Sequence, residues 1–254
     1  MQEILVIGAG NLAWHMVHIL QAAGYDVTLV SRNPDRVADW PVRVQSLAEL
    51  SVAPDLIVLA VPDDAIHQAS TELANHLPSG TPIVHTSGAT PTVMINSHFA
   101  NRGALWPIRS LRAGEPVGDW REVPLVYHAT NAALTQVLAK LTASLSDLTY
   151  ELNDEQRAKL HLSAVFSNNF VTWLYEISHQ LCTESGIPFE VLLPIIKNTA
   201  LKQDGSSPRL SQTGAAARGD QATIDRHLHL LASHPEYAQL YQLISNAIQK
   251  GVKQ

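Results

Sequence analysis

The sequence predicts an α/β fold, with a mostly parallel sheet in an N-terminal domain and a C-terminal domain made only of helices. Over the first 152 residues, short apolar and β-branched runs alternate with segments of helical periodicity, which is typical of parallel sheets with right-handed crossovers. A glycine-rich turn joins the first predicted strand to the first predicted helix. No strand pattern follows Asn153, so we place the two domains at 1–152 and 153–254.

The N-terminal domain is predicted to begin with a strand over residues 4–7, which are all apolar, so that both faces are expected to be buried. Helical spacing of apolar residues then runs from Asn11 to Ala23, and a glycine follows as a helix stop. A short helix opens at Pro34, and a longer one spans 64–77. Further strands are predicted at 26–31, 42–45, 55–61, 81–86, 104–106, 124–127 and 149–152.

The C-terminal domain is predicted to open with one long helix over 154–184, which ends before Gly186 and Pro188. Asp220 is well placed to cap a later helix, because its side chain can accept backbone N–H groups of the first turn. The remaining elements are a helix at 189–203, a loop at 204–208, a turn at 214–220, a helix from Gln221 and a final helix at 235–250.

The composition excludes several classes of protein. Hydrophobic residues make up 46% and charged residues 16% of the 254 residues, which indicates a folded chain with a substantial core. A net charge of −6 provides no basic surface for nucleic acid or a membrane. The chain has neither a signal-peptide pattern nor an apolar run near the roughly 20 residues of a membrane span. With Cys182 as its single cysteine, we expect a cytoplasmic protein without a cysteine-rich metal site.

The glycine-rich turn, Gly8-Ala9-Gly10-Asn11-Leu12-Ala13, matches the pattern G-x-G-x-x-A. In dinucleotide-binding Rossmann domains the first glycine permits a tight turn, the second lets the backbone approach a pyrophosphate, and the last small residue lets helix and strand pack closely. Free N–H groups at the start of the helix then bind the phosphates. Because the motif stands between a predicted strand and a predicted helix, we predict that Gly8, Gly10, Asn11, Leu12 and Ala13 bind a nicotinamide dinucleotide. The alternative is a glycine turn that binds no ligand.

The end of the second predicted strand indicates which dinucleotide is bound. NAD enzymes usually carry Asp or Glu here, to bind the ribose 2′-hydroxyl, whereas this chain has Ser31-Arg32-Asn33. A guanidinium can pair with a 2′-phosphate and stack on adenine. We therefore predict NADP, bound by Ser31, Arg32 and Asn33, and the alternative for Arg32 is a solvated loop residue.

Two further strand ends should reach the same edge, because ligands of open α/β sheets bind outside the carboxyl ends of the strands. Val61 and Pro62 are expected beside the ribose and nicotinamide. Thr86 and Ser87 are expected near the nicotinamide, where the Ser87 hydroxyl could hold the carboxamide or a substrate oxygen. Ser87 is equally a candidate turn residue, and His85 is a candidate strand-end histidine bonded to backbone.

The long predicted helix carries polar residues on an apolar face. Positions 161, 165, 168 and 169 share one face at helical spacing, which groups His161, Asn168 and Asn169. Such groups need polar partners, and a ligand, the other domain or a second subunit could supply them. In a functional site, His161 would donate a proton during hydride transfer and Asn169 would orient the substrate. In a structural role, His161 would be a satisfied core histidine.

Seven short elements, spread over nearly the whole chain, carry a family resemblance. They are GAGNLA (8–13), SRN (31–33), AVPD (60–63), HTSGA (85–89), LHLSAVF (160–166), Asn169-Phe170 and TGAAARGD (213–220). They resemble a family of NADP oxidoreductase-like proteins that pair a Rossmann domain with a helical C-terminal domain. This family is related to pyrroline-5-carboxylate reductases, deazaflavin-dependent NADP oxidoreductases and β-hydroxyacid dehydrogenases, and the resemblance implies a homodimer packed through the helical domain.

The resemblance also suggests roles for single residues. In β-hydroxyacid dehydrogenases a Lys and an Asn of the second domain face the nicotinamide, and His161 and Asn169 resemble that pair by position, although the Lys is absent. Ala215 stands where the family often has Pro, and Arg109 where an uncharged residue is expected. Arg218 is open between binding an acidic group and stabilising its own loop.

Together these features predict an NADP(H)-dependent oxidoreductase that transfers a hydride between nicotinamide and a small carbonyl or imine substrate. The predicted catalytic residues are His161, Asn169 and Ser87, and no metal site is expected. The cofactor supplies the hydride chemistry, and the protein supplies orientation and a proton path. The alternative is a non-catalytic NADP(H) sensor, which the missing Lys favours.

Overall fold

A computed structural model of the protein describes residues 3–50 and 53–252. The chain divides into two compact units, one ending at Asn168 and the other beginning at Asn169. This division falls later than the domain boundary that we predicted at 152/153, because the first helix after the sheet groups with the sheet.

The first unit is built on one eight-stranded sheet with the order β3-β2-β1-β4-β5-β6-β7-β8. Neighbouring strands are parallel except β6 and β7, which are antiparallel, so the predicted mostly parallel sheet is confirmed. The strands are β1 (Glu3–Ile7), β2 (Asp26–Val30), β3 (Arg43–Gln45), β4 (Leu56–Leu59), β5 (Ile83–His85), β6 (Arg102–Pro107), β7 (Leu125–Ala129) and β8 (Thr149–Glu151).

The register of the central strands aligns their carboxyl ends. Ile7 of β1 pairs with Val30 of β2 on one side and with Leu59 of β4 on the other. The chain order therefore reverses at β1, and the turns after β1, β2 and β4 meet at one edge of the sheet. This is the switch point at which open α/β sheets bind ligands.

Both faces of the sheet are buried, as the all-apolar β1 predicts. Ile4 and Val6 belong to one core cluster, and Leu5 between them belongs to the cluster on the opposite face. Full burial of each such side chain stabilises the fold by about 1.5–3 kcal/mol. The central strands are therefore a rigid base for the turns at their ends.

Helices cover the two faces of the sheet. They are α1 (Asn11–Ala22), α2 (Ile66–Ala74), which follows a 3₁₀ turn at Asp63–Ala65, and α3 (Ala132–Leu145). We did not predict α3, although its sequence carries the usual signals. The Asn131 side chain accepts the Leu134 N–H at 3.0 Å as an N-cap, and leucines at 134, 138, 141 and 145 are buried on one face.

The long helix predicted over 154–184 is not uniform. It consists of α4 (Asp154–Ala164), a π-helical segment (Val165–Phe170) and α5 (Val171–Glu184). Hydrogen bonds from i to i+5 widen the turn in the π segment. The single face that we predicted for positions 161–169 assumed α-helical spacing throughout, so across the π segment that grouping stays a prediction.

The second unit contains only helices among the residues that the structure describes. Besides α5 they are α6 (Leu193–Leu201), α7 (Ala215–Arg218), α8 (Gln221–Leu230) and α9 (Pro235–Val252). The predicted turn at 214–220 contains α7, and Asp220 caps α8 as predicted, because its side chain accepts the Thr223 N–H at 3.1 Å. No helix within residues 3–50 and 53–252 combines the length and apolarity of a membrane span.

Candidate active site

A cavity of about 300 Å³ lies at the carboxyl edge of β1, β2 and β4. Its walls are the glycine-rich turn after β1, the first residues after β2 and β4, and one face of α2. The predicted cofactor residues Gly8, Gly10, Ser31, Arg32 and Val61 all line it, as does Pro62. The structure thus brings together residues from three separate turns.

The two glycines of the turn have different surroundings. Gly8 has φ +133°, and an added Cβ would overlap the carbonyl oxygen of Ala60. An added Cβ at Gly10 would meet no atom within 4 Å and would point into open space. Gly8 is therefore required by the fold, whereas Gly10 leaves room beside the cavity.

The start of α1 is suited to an anion. Gly10 is its N-cap, and the first turn of the helix contains no acidic residue. Positive partial charge at a helix N-terminus attracts phosphate groups. Ala13 is fully buried and Leu12 packs against the core, so their side chains position the helix, and a contact of their backbone N–H groups with a phosphate stays a prediction. The Asn11 side chain accepts the Ala113 N–H at 3.1 Å and connects the segment after β6 to the turn.

The residues after β2 place a hydroxyl and a guanidinium at the cavity. Ser31 is buried, and its Oγ accepts the Asn33 N–H at 3.1 Å. The exposed Arg32 side chain has no acidic partner among the residues that the structure describes. Asn33 is the N-cap residue of a 3₁₀ turn at Pro34–Val37, but its side chain makes no capping hydrogen bond. Arg32 is thus available to a ligand anion, and the part of Asn33 in cofactor binding stays a prediction.

The loop after β5 is organised by its own hydrogen bonds. The Ser87 hydroxyl donates to Asp63 Oδ2 at 2.7 Å and accepts the N–H groups of Ala89 (3.1 Å) and Thr90 (2.9 Å). The Thr86 hydroxyl donates to the Leu59 carbonyl at 3.1 Å. Both predicted site residues therefore hold the loop in place, which favours the turn-residue interpretation of Ser87.

His85 is a neutral, buried histidine. Its Nδ1 accepts the Ser87 N–H at 3.2 Å. Burial, together with the positive charge of Arg157, lowers the pKa of His85 to about 4. The strand-end interpretation of His85 is therefore the one that the geometry favours.

His161 lies against this loop. Its ring is 5.5 Å from the Trp106 ring, measured between centroids. An added Cβ at Gly88 would be 2.5 Å from His161 Cδ2 and 2.7 Å from Trp106 Cε2, so both rings rest on the Gly88 backbone. His161 is half-buried and stands beside the loop where we expected the nicotinamide. We did not predict the contact of Trp106 with His161.

An ion pair within α4, whose Arg157 is fully buried, is hydrogen-bonded to the same loop. Arg157 is fully buried, pairs with Asp154 at 2.8 Å and donates to the Thr90 carbonyl. Asp154 Oδ2 accepts the Thr92 N–H at 2.9 Å and the Thr92 hydroxyl at 2.8 Å. Burial opposes ionisation of Asp154, but the Thr92 hydrogen bonds and Arg157 outweigh it and lower the pKa of this carboxyl. One turn later on α4, His161 is thereby held over Gly88.

The third predicted catalytic residue, Asn169, is the first residue of the second unit and lies in the π segment. Its pairing with His161 stays a prediction. Across residues 3–50 and 53–252, no group of three His, Cys, Asp or Glu side chains is arranged to hold a metal ion.

Two family models match separate parts of the chain. One, described as NADP oxidoreductase, coenzyme F420-dependent, matches residues 3–88, which run from β1 to the loop after β5. The other, a domain of unknown function (DUF2520), matches residues 123–248. No curated protein matches the chain.

Solved structures match nearly the whole chain. A Bacteroides fragilis protein classed as an NADP oxidoreductase is 30% identical, with a TM-score of 0.88 and 98% of both chains covered. An imine reductase from Myxococcus stipitatus in complex with NADP⁺ is 18% identical, with a TM-score of 0.74, 99% of this chain and 94% of that chain covered. A reductive aminase from Aspergillus terreus, in complex with NADPH and ethyl levulinate, is 13% identical, with a TM-score of 0.70 over 100% and 94% of the two chains. At these lower identities the last two show a shared fold.

The identity to the Bacteroides protein, over almost the full length of both chains, establishes the family. It confirms the predicted enzyme class and the predicted cofactor, NADP. The chain therefore belongs to the family of NADP oxidoreductases that combine a Rossmann-type sheet with a helical C-terminal region.

Proposed function

We propose that the protein reduces a small carbonyl or imine substrate with NADPH bound at the carboxyl edge of its sheet. The observation that carries the proposal is the cavity at β1, β2 and β4, where the start of α1 and the Arg32 guanidinium face the same space. In this arrangement the pyrophosphate lies over Gly10, and the 2′-phosphate lies between Ser31 and Arg32. The nicotinamide then extends along the sheet edge toward the loop after β5.

His161 is the proposed proton donor. When a hydride leaves the nicotinamide and adds to the carbon of a C=O or C=N bond, the oxygen or nitrogen gains an electron pair and takes up a proton. Imidazole can supply that proton near neutral pH. The contact of His161 with Gly88 and Trp106 supports this role, because we propose that the nicotinamide extends toward the same loop. For Ser87 we propose a positioning role, because its hydroxyl already donates to Asp63.

The similar structures favour an imine substrate over a carbonyl one. An imine reductase and a reductive aminase share this fold. A protonated C=N group accepts a hydride readily, and a nearby imidazole can keep it protonated.

Turnover of NADPH with a panel of small cyclic imines and keto acids tests the proposal, followed as the loss of NADPH absorbance. We expect oxidation of NADPH with at least one imine. His161→Ala should lower kcat by about 10²-fold or more, the usual effect of losing a general acid, with NADPH affinity nearly unchanged. His229→Ala removes an exposed histidine of α8 and should leave turnover unchanged. Full turnover in His161→Ala would contradict the assigned role.

A second function, the NADP(H) sensor, is favoured by one observation: this chain has His161 where related dehydrogenases have Lys. Such a sensor would bind NADPH tightly and oxidise none of it with any substrate of the panel. Retention of a partner protein in only one redox state of the cofactor would then support it.

We further propose that the second unit forms a homodimer in the cytoplasm. Neither α5 nor α6 has a buried residue in the described chain. Trp173, Val191, Ile195 and Leu201 are 55%, 66%, 62% and 84% exposed. Apolar exposure on this scale marks an association surface, and a second copy would cover it symmetrically. Sedimentation equilibrium should give twice the chain mass, and a monomer at micromolar concentration would contradict the proposal.

A further inference from the structure

One carboxylate at the ligand-binding edge of the sheet has no part in the cofactor contacts described above. Asp63 begins the 3₁₀ turn after β4 and is exposed. Within residues 3–50 and 53–252 it forms no ion pair with a basic side chain. A negative charge would repel the phosphates of NADP(H) if it lay beside them, so Asp63 is suited to a different part of the ligand.

A hydrogen bond fixes the Asp63 carboxylate between the ends of two neighbouring strands. Asp63 Oδ2 accepts the Ser87 hydroxyl at 2.7 Å, and Ser87 belongs to the loop after β5, the strand that pairs with β4. Ser87 Oγ in turn accepts the N–H groups of Ala89 at 3.1 Å and Thr90 at 2.9 Å. The carboxylate is therefore held by an ordered loop.

The chain that leads to Asp63 lies against the glycine-rich turn after β1. An added Cβ at Gly8 would overlap the carbonyl oxygen of Ala60 and lie 3.6 Å from Val61 Cγ1. Asp63 itself does not line the cavity beside that turn. It thus stands between the turn proposed for the pyrophosphate and the loop toward which we propose that the nicotinamide extends.

The charge of Asp63 acts on the end of β5. Burial and the positive charge of Arg157 lower the pKa of His85 to about 4, while the charges of Asp154 and Asp63 act in the opposite direction. Asp154 is paired with Arg157 at 2.8 Å, whereas Asp63 has no such cation in the part of the chain that the structure describes. The field of Asp63 at this loop is therefore less compensated.

Hydride transfer creates a charge of the opposite sign in this region. The C4–H bond of the dihydronicotinamide breaks, its two electrons leave with the hydrogen to the substrate carbon, and the nicotinamide ring is left with one positive charge. We infer that the Asp63 carboxylate lies beside the nicotinamide and stabilises this positive charge. Asp63 thus favours NADP⁺ over NADPH at the site and makes bound NADPH a stronger hydride donor. This inference rests on the proposed binding of NADP(H) at the same edge of the sheet.

The test measures the affinities of the full chain for NADP⁺ and for NADPH by titration calorimetry, in wild type and in Asp63→Asn. The amide oxygen of asparagine can still accept the Ser87 hydroxyl, so the substitution removes the charge and retains the loop contact. We expect NADP⁺ to bind about threefold or more weakly in Asp63→Asn, while NADPH affinity changes by less than about twofold. The reduction potential of the bound cofactor should rise accordingly.

Asp64→Asn is the matched control, because Asp64 is the next exposed carboxylate of the same 3₁₀ turn. It should change the ratio of the two affinities by less than about twofold, since solvent screens an exposed charge that does not face the ligand. An equal loss of both affinities in Asp63→Asn, as a bond to ribose would give, overturns the inference. An unchanged ratio, or the same change in Asp64→Asn, also overturns it, while the proposed function stands. If wild type binds neither form of the cofactor, the proposed function itself fails.

Discussion

At the scale of single residues, the two glycines of the turn after β1 predict separable effects. Gly8→Ala should lower the free energy of unfolding by about 1–3 kcal/mol, because its backbone has φ +133° and the new Cβ overlaps Ala60. Gly10→Ala should cost less than about 1 kcal/mol, the loss of a glycine N-cap, but its methyl group should weaken NADPH binding at least about tenfold by blocking the pyrophosphate. Urea unfolding and calorimetry measure the two effects.

Gly80→Ala is the control for both substitutions, since an added Cβ at Gly80 meets no atom within 4 Å and Gly80 lies away from the cavity. An unchanged NADPH affinity in Gly10→Ala would show that the turn does not hold the pyrophosphate.

His85 predicts a pH dependence of stability. Its pKa is about 4 in the folded protein, against 6.5 for the free side chain, so the unfolded chain binds the extra proton first as the pH falls. The stability that the neutral form of His85 contributes is fully present above about pH 6.5. As the pH falls to about 4, the free energy of unfolding decreases progressively, by roughly 3 kcal/mol at most. His85→Gln should be less stable at neutral pH, yet lose less stability over this range. Parallel curves of unfolding free energy against pH for both proteins would contradict this account.

At the scale of elements, the buried contact of α4 with the loop after β5 determines where His161 lies. Arg157→Ala leaves Asp154 without its cation, and breaking such a pair costs about 3–5 kcal/mol. We expect the lower end of that range, because Asp154 is 27% exposed. Lys159→Ala removes an exposed pair with Glu155 on the same helix and should cost less than about 1 kcal/mol. Equal losses of unfolding free energy in the two variants would show that the buried pair does not anchor α4.

The elements also show how far the sequence could be interpreted. Every predicted strand is present, because short apolar and β-branched runs bounded by turn residues leave few alternatives. The segment α3 was missed although its leucines repeat at helical spacing, since it separates two short strands. The buried position of Arg157 could not be predicted from the sequence, because an arginine within a charged helical stretch is normally solvated. The π segment depends on tertiary context, so no local sequence pattern predicts it.

At the scale of the whole molecule, the parallel register explains why residues far apart in sequence form one site. Gly10, Arg32 and Gln68 line one cavity because the turns after β1, β2 and β4 end at the same edge. The sequence predicted the first two from their place after strands. It did not predict the α2 face, because small and polar residues on a helix resemble an ordinary solvated surface.

The affinity of the full chain for NADPH and NADH, measured by calorimetry on wild type and Arg32→Ala, tests the central claim most directly. The account predicts that wild type binds NADPH at least about tenfold more tightly than NADH, since an arginine–phosphate pair contributes about 1.5–3 kcal/mol. In Arg32→Ala this preference should largely disappear, while NADH affinity stays nearly the same. Tighter binding of NADH by wild type, or no binding of either dinucleotide, would contradict the account.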